Sequence, residues 1–393
     1  MTIKVENSGG GAAFLAYVRA AAALAIRDRS VIVVLLLSQL LFLLPMIVNY
    51  PTGEEAINRK RVLENVDIAR RELLDYGNEF PDELLELTRQ EYESFTTAAA
   101  ADYPSNEYFA AFGAAREAQD KEWQAGYLTG GLIYKASGTL LTGLSRLHSP
   151  QVYSSARDLP MLNYLGLAMG IIPSIILLLP SVFAAYATLR RLHGHRLLAV
   201  APIGRCARNA GAALTASTLS ALGPLAVLLP SALMALAKNG LGDPAYSVVS
   251  IMDDTVISDT VLGVLGKDIA LALSGAVALV LFMGLVNRIR PHAALGTALL
   301  VLAAPLLPLY SSESMPWHEV GSILPMTYLS LDHIVGYPTY ANGLDISLFS
   351  GATYGAGVVV LLATVVLLAL ASLTADIVGG VMRTRRLERK ASR

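Results

Sequence analysis

Residues 31–49 read VIVVLLLSQLLFLLPMIVN, an uncharged apolar run that opens two residues after Arg29 and closes against Tyr50 and Pro51. A helix needs about 20 mostly apolar residues to cross the hydrocarbon core of a bilayer, so this run reads as a membrane span. It begins too far along the chain for a cleavable signal peptide, and no small-residue cleavage pattern follows it. It is therefore expected to remain as an anchor. Working outward, the same pattern recurs over residues 159–189, 209–237, 269–287, 293–312 and 346–375. Lipid offers no partner to a free backbone N–H or C=O, so each run is read as a helix and not as an open strand.

Composition agrees with that reading. The 393-residue chain is 54% hydrophobic with mean hydropathy +0.51, more apolar side chain than a soluble core needs. A formal net charge of -1 favours neither nucleic acid nor an acidic substrate. One cysteine, Cys206, excludes an internal disulfide framework and a multi-thiolate metal site.

Orientation follows from the loops, because Lys and Arg are retained on the cytoplasmic side. Lys4, Arg19, Arg27 and Arg29 precede the first run, and Arg383, Arg385, Arg386, Arg389, Lys390 and Arg393 follow the last. Arg190, Arg191, Arg196, Arg205 and Arg208 join the second run to the third without an acid, and Arg288 and Arg290 join the fourth to the fifth. The other loops are acidic: eleven basic against eighteen acidic residues over 51–160, two against five over 238–268, none against four over 313–345. The expected fold is an all-α integral membrane protein of six transmembrane helices, with a mainly helical extracellular domain between the first and second. Both termini are expected in the cytoplasm of a multi-pass cell-membrane protein, with 383–393 as a basic tail.

Residues 51–158 carry enough periodicity to fold. Val62, Val66, Ala69 and Leu73 line one helix face; Pro81, Asp82 and Glu83 look like a second helix start; a third helix is expected over 109–123. Breaks are expected at 77–81 and 103–106. Seven tyrosines, at 76, 92, 103, 108, 127, 134 and 153, either line a substrate surface or fill a small core and anchor at the headgroups.

Between the second and third runs, residues 189–206 read LRRLHGHRLLAVAPIGRC, basic and partly apolar. Leu197, Leu198, Pro202 and Arg205 form a Leu-Leu-x-x-x-Pro-x-x-Arg pattern that resembles the coupling-helix region of the permease subunit of ABC-2 type transporters. The six-run order resembles that family too, and residues 12–28 resemble its amphipathic N-terminal connecting helix. The acidic residue that usually precedes the leucines is missing here. The resemblance implies an ABC ATPase subunit docked at these four residues, ATP and Mg held by that partner and not by this chain, and a second permease subunit, identical or different. Residues 313–345, short of charge but holding Trp317, Leu324, Met326, Leu329, Leu331, Ile334 and Val335, fit a re-entrant pair of half-helices at the outer face, which again resembles the family, or a simple interfacial loop. The outer face would then close an export route for a hydrophobic or amphipathic compound, which the lack of charge at the centres of the six runs also favours. Read without the resemblance, both segments are basic linkers on anionic lipid, and the whole chain is open to a second reading as a membrane receptor or assembly protein whose outer domain binds a partner.

No catalytic pattern is complete, so the chain is not expected to be an enzyme. Gly266-Lys267 lacks the rest of a phosphate loop. Gly240-Leu241-Gly242-Asp243 matches part of an intramembrane aspartyl protease pattern but has no second aspartate in the preceding runs, and it reads as a turn. His193 and His195 have no third metal ligand nearby. Pro173, Pro180, Pro224, Pro230, Pro305 and Pro308 are expected to kink their helices.

Overall fold

A computed structural model describes residues 10–77, 79–194, 204–335 and 347–391. The chain is mostly helical, and four of its helices are long and apolar enough to cross a membrane: α2 (Arg29–Ile47), α9 (Arg205–Asn239), α10 (Val261–Ile289) and α12 (Tyr354–Ala391), the last over its stretch Tyr354–Ala375. A fifth span forms if α7 (Met161–Ile171) and α8 (Ser174–Gly194) count as one. They are bent by 87° at their junction, where Pro173 lacks the N–H to continue the helix. The six long helices expected from hydropathy are therefore not all present among the described residues. Residues 293–312 form only the ten-residue α11 (Ala294–Ala303) and a 3-10 turn, Ala304–Leu306. At 1.5 Å per residue these cover about 20 Å against a hydrocarbon core of about 30 Å. The last helix starts at Tyr354, after Gly351 takes a left-handed φ of 76°.

Side chains on the outside of this bundle are apolar. Leu36, Leu37 and Leu40 on α2, Leu229 and Leu233 on α9, and Val359, Leu367 and Leu370 on α12 are all exposed, a surface suited to lipid and costly in water.

The prolines leave gaps in the helices, and neighbouring side chains fill two of them. An α-helical N–H donates to the carbonyl four residues earlier, so Pro224 orphans Ser220 O and Pro230 orphans Ala226 O. Ser181 Oγ of α8 donates to Ser220 O at 2.6 Å, and Gln39 Nε2 of α2 donates to Ala226 O at 2.9 Å. Ser220 Oγ returns a bond to Ser181 O at 2.8 Å. Gly223 permits this approach, since a Cβ there would collide with Ser181 Oγ. Irregular backbone at membrane depth is thus satisfied inside the protein.

Residues 51–158 fold as four helices: α3 (Arg59–Asp75), α4 (Asp82–Ala100), α5 (Asn106–Gln124) and α6 (Ile133–Ser145). The first three and their breaks agree with the periodicity, while α6 was not legible in it. Asn58 and Ser105 cap α3 and α5 through Arg61 N and Tyr108 N. Tyr108, Phe95, Phe109 and Phe112 are fully buried, and Tyr108 donates to Ile57 O at 2.8 Å. Tyr108 is therefore core, whereas Tyr76 and Tyr127 are exposed. At the neck, Pro51 pairs with Ser155 and Ala156 N donates to Tyr50 O at 2.7 Å, drawing the two ends of the insertion together.

An antiparallel hairpin, β1 (Ser247–Met252) and β2 (Thr255–Thr260), departs from the all-α expectation. Its two-residue turn, Asp253-Asp254, has φ of 52° and 54°, the type I′ geometry that matches strand twist. The β1 strand is buried along its length and packs on α6, where Ser247 lies against Gly143. Asp253 Oδ2 accepts from Gly351 N at 3.2 Å, tying the hairpin tip to the approach of α12.

Candidate functional site

Of the residues expected to meet an ATPase, Leu197, Leu198 and Pro202 lie outside the described residues. Arg205 is the first residue of α9, directly after its N-cap Gly204. Close by lies α1 (Gly10–Ile26), which packs on both α8 and α9. Its buried residues Tyr17, Ala21 and Ala25 recur every four positions, and Gly211 of α9 leaves room for the Phe14 and Tyr17 rings. The helix then turns into α2 at Asp28, whose Oδ1 accepts from Ser30 N at 3.0 Å. Thus α1, the end of α8 and the start of α9 form one end of the bundle. His195 also lies outside the described residues.

A second constellation sits where α7 breaks into α8. Residues 318–333, expected as part of a re-entrant helix pair, form instead a run of 3-10 turns, His318–Ile323, Pro325–Leu329 and Leu331–His333. Glycines admit this segment between the helices: a Cβ on Gly275 of α10 would meet Leu329 at 2.7 Å, and one on Gly357 of α12 would meet Tyr328 at 2.5 Å. Thr327, buried, donates to Gly321 O at 2.6 Å and so accepts from the Tyr310 hydroxyl at 2.7 Å. Ser174, the first residue of α8, donates to Leu329 O at 2.7 Å and accepts from Leu331 N at 3.2 Å. Asp332 Oδ1 lies 3.5 Å from the same hydroxyl, a carboxylate set at the positive end of a helix.

Asp268 lies in this region on α10 and is 2% exposed. Its Oδ1 has no hydrogen-bond partner. The charges that act on it are the Asp332 carboxylate and the Lys267 ammonium, and Lys267 is itself 2.6 Å from Asp259 Oδ2. The sequence signal was an acid immediately before an apolar run, which marks a span boundary equally well. Tertiary packing extends the helix two turns further and buries it. An unpaired charge in such a place is expensive.

The Gly240–Asp243 segment is a turn, with positive φ at Gly240 and Gly242 and Asp243 Oδ1 accepting from Ala245 N at 2.8 Å. No protein-family description, curated protein or solved structure matches this chain.

Proposed function

We propose that this chain is a membrane-spanning permease subunit, similar to those of ABC-2 type transporters, that exports a hydrophobic or amphipathic compound with energy from a separate ATPase. In this reading six segments cross the membrane, with α7–α8 as one broken crossing and residues 293–312 as a short fifth. Both termini are cytoplasmic, and the four-helix insertion lies outside. The observation that carries it is the polarity of the bundle. Arg27 and Arg29 fall at the junction of α1 and α2, Arg190 near the end of α8, Arg208 in the first turn of α9, and Arg288 and Arg290 at the end of α10, whereas the neck follows α2 and the hairpin with its acids Asp253, Asp254 and Asp259 joins the end of α9 to the start of α10; spans that alternate in direction would gather the basic ends on one side. Gathered Lys and Arg identify the cytoplasmic side, and in this reading α1, which packs on α8 and α9, would lie on the side that meets an ATPase. Two such chains, alike or different, would enclose the route, and the broken helix with its prolines supplies the element that moves.

Purification of the chain from its native membrane tests this. An ABC ATPase should accompany it, and Leu197→Ala and Arg205→Ala should weaken that association and slow ATP-dependent transport. A preparation free of any ATPase, or variants that leave transport intact, would sink the proposal. The closed neck and the well-formed core of the outer domain support a second reading, a receptor or assembly protein. A gene without an ATPase neighbour favours it.

A further inference from the structure

A groove of about 730 Å³ runs along the seam of α5 and α6 and ends against β2. The face of α6 that lines it carries Lys135, Thr139, Thr142 and Arg146, at steps of four, three and four. Both cations are exposed, and among the described residues neither side chain has a hydrogen bond or an ion pair. The acids of the same groove are already engaged. Glu117 lies 3.0 Å from Lys121, Asp259 lies 2.6 Å from Lys267, and the buried Asp120 accepts from Gln124 at 2.7 Å. The unused charge in the groove is therefore positive, at two points three helical turns or about 16 Å apart.

The sheet beside the groove has an open edge. β2 pairs with β1 on one side, and among the described residues no strand covers the other. Val261 N donates to Tyr246 O at 2.8 Å, and the antiparallel alternation that continues from this pair gives bonds to Asp259 and Ile257. The alternate residues, Val256 and Ser258, turn their N–H and C=O groups away from β1. Ser258 is exposed and borders the groove, and residues 255–260 contain no Lys or Pro to discourage a further strand. Ser258 shares a face of the hairpin with Thr260 and with Ser247, the partner of Thr260, and Ser247 lies against Gly143 of α6. A strand added here would therefore point alternate side chains toward α6.

We propose that this edge and groove bind an extended peptide with acidic side chains about four residues apart, which lengthens the hairpin to three strands. Its backbone pairs with Val256 and Ser258, a mode in which main-chain bonds give affinity and alternate side chains give specificity. Its two carboxylates meet Lys135 and Arg146. Four strand steps span about 14 Å, and the flexible stems of the two cations cover the rest of their separation. The hairpin's own acids Asp253 and Asp254 sit in the turn at the far end of β2, away from the Ser258 end where the peptide carboxylates enter. The site requires no ATPase and stands apart from the transport reading.

The test is calorimetry on the full chain in nanodiscs, with the acetylated and amidated peptide Glu-Thr-Val-Thr-Glu as probe. It should bind, and the matching Lys-Thr-Val-Thr-Lys peptide should bind about tenfold more weakly or not at all. Methylation of the central valine nitrogen, which removes an N–H on the pairing edge, should abolish binding. Lys135→Ala and Arg146→Ala should each weaken it at least fivefold. Ser258→Pro should do the same while the melting transition persists, because the N–H it removes makes no bond to β1. Absence of binding at millimolar concentration, equal binding of the lysine peptide or of the methylated peptide, or unchanged affinity in both cation variants would overturn the assignment. So would tetragalacturonate binding as tightly as the peptide, since that polyanion has no amide backbone to pair.

Discussion

Replacing Gln39 by Leu removes the donor that satisfies Ala226 O, 2.9 Å away across the α2–α9 contact. Shape is nearly preserved, so the main change is a carbonyl left without a partner next to Pro230. An unsatisfied buried group costs about 1–3 kcal/mol, while hydrogen bonds between membrane helices average about 0.6 and reach about 1.7 kcal/mol. Gln39→Leu should therefore destabilise by about 1–2 kcal/mol. In a Pro230→Ala background, however, the new Ala N–H can itself donate to Ala226 O and the helix closes its own gap. There Gln39→Leu should cost close to nothing, leaving a coupling energy of about 1 kcal/mol in the double-mutant cycle. The assay is equilibrium unfolding in mixed micelles of a mild detergent and dodecyl sulfate, followed by far-UV circular dichroism. Equal costs of Gln39→Leu in both backgrounds would refute the idea that this side chain is there to fill the proline gap. Ser181→Ala with Pro224→Ala provides the same cycle at Ser220 O.

Gly357→Ala should lower the melting temperature through a loss of about 1–3 kcal/mol, because its Cβ would lie 2.5 Å from the Tyr328 ring; thermal denaturation in detergent checks it, and a neutral result would mean the 3-10 segment moves aside freely. Stability of the four-helix domain should decline with pH. Glu91, whose folded carboxyl is raised to about 8 from 4.5, contributes stability that is complete below the lower value and lost as pH rises through the higher one. Hydrogen-exchange protection factors over α4 and α5, with the intrinsic base-catalysed rate divided out, should thus fall between about pH 5 and pH 9, and Glu91→Gln combined with Glu122→Gln, the second raised carboxyl, should flatten the trend. For sidedness, Cys206→Ser removes the chain's one cysteine. A cysteine then placed at Asp254 should react with an impermeant maleimide in intact cells, and one at Arg290 only after permeabilisation; the reverse pattern would invert the proposed orientation.

Hydropathy alone located the cores of α2, α9, α10 and α12, since about 20 uncharged apolar residues have few other places to go. The helix face through Val62 and Ala69 and the start of α4 after Pro81 were equally legible, because local spacing and capping set them. Residues 293–312 were not, as composition records apolar length but not where Pro305 and Pro308 stop a helix. The hairpin was hidden in a loop of ordinary composition, and its buried strand depends on Gly143 of α6 approaching Ser247 from about a hundred residues away in sequence. Prolines could be read as kinks, yet only the packed bundle decides that Gln39 and Ser181 complete the broken ladders. Asp268 makes the same distinction: beside an apolar run an acid marks a boundary in sequence, while three-dimensional packing of α10 against the 3-10 segment determines that it is buried. The sequence determined which segments seek lipid and the charge asymmetry of their loops. Tertiary structure decided where helices break and which polar groups meet, because those depend on contacts between residues far apart in the chain.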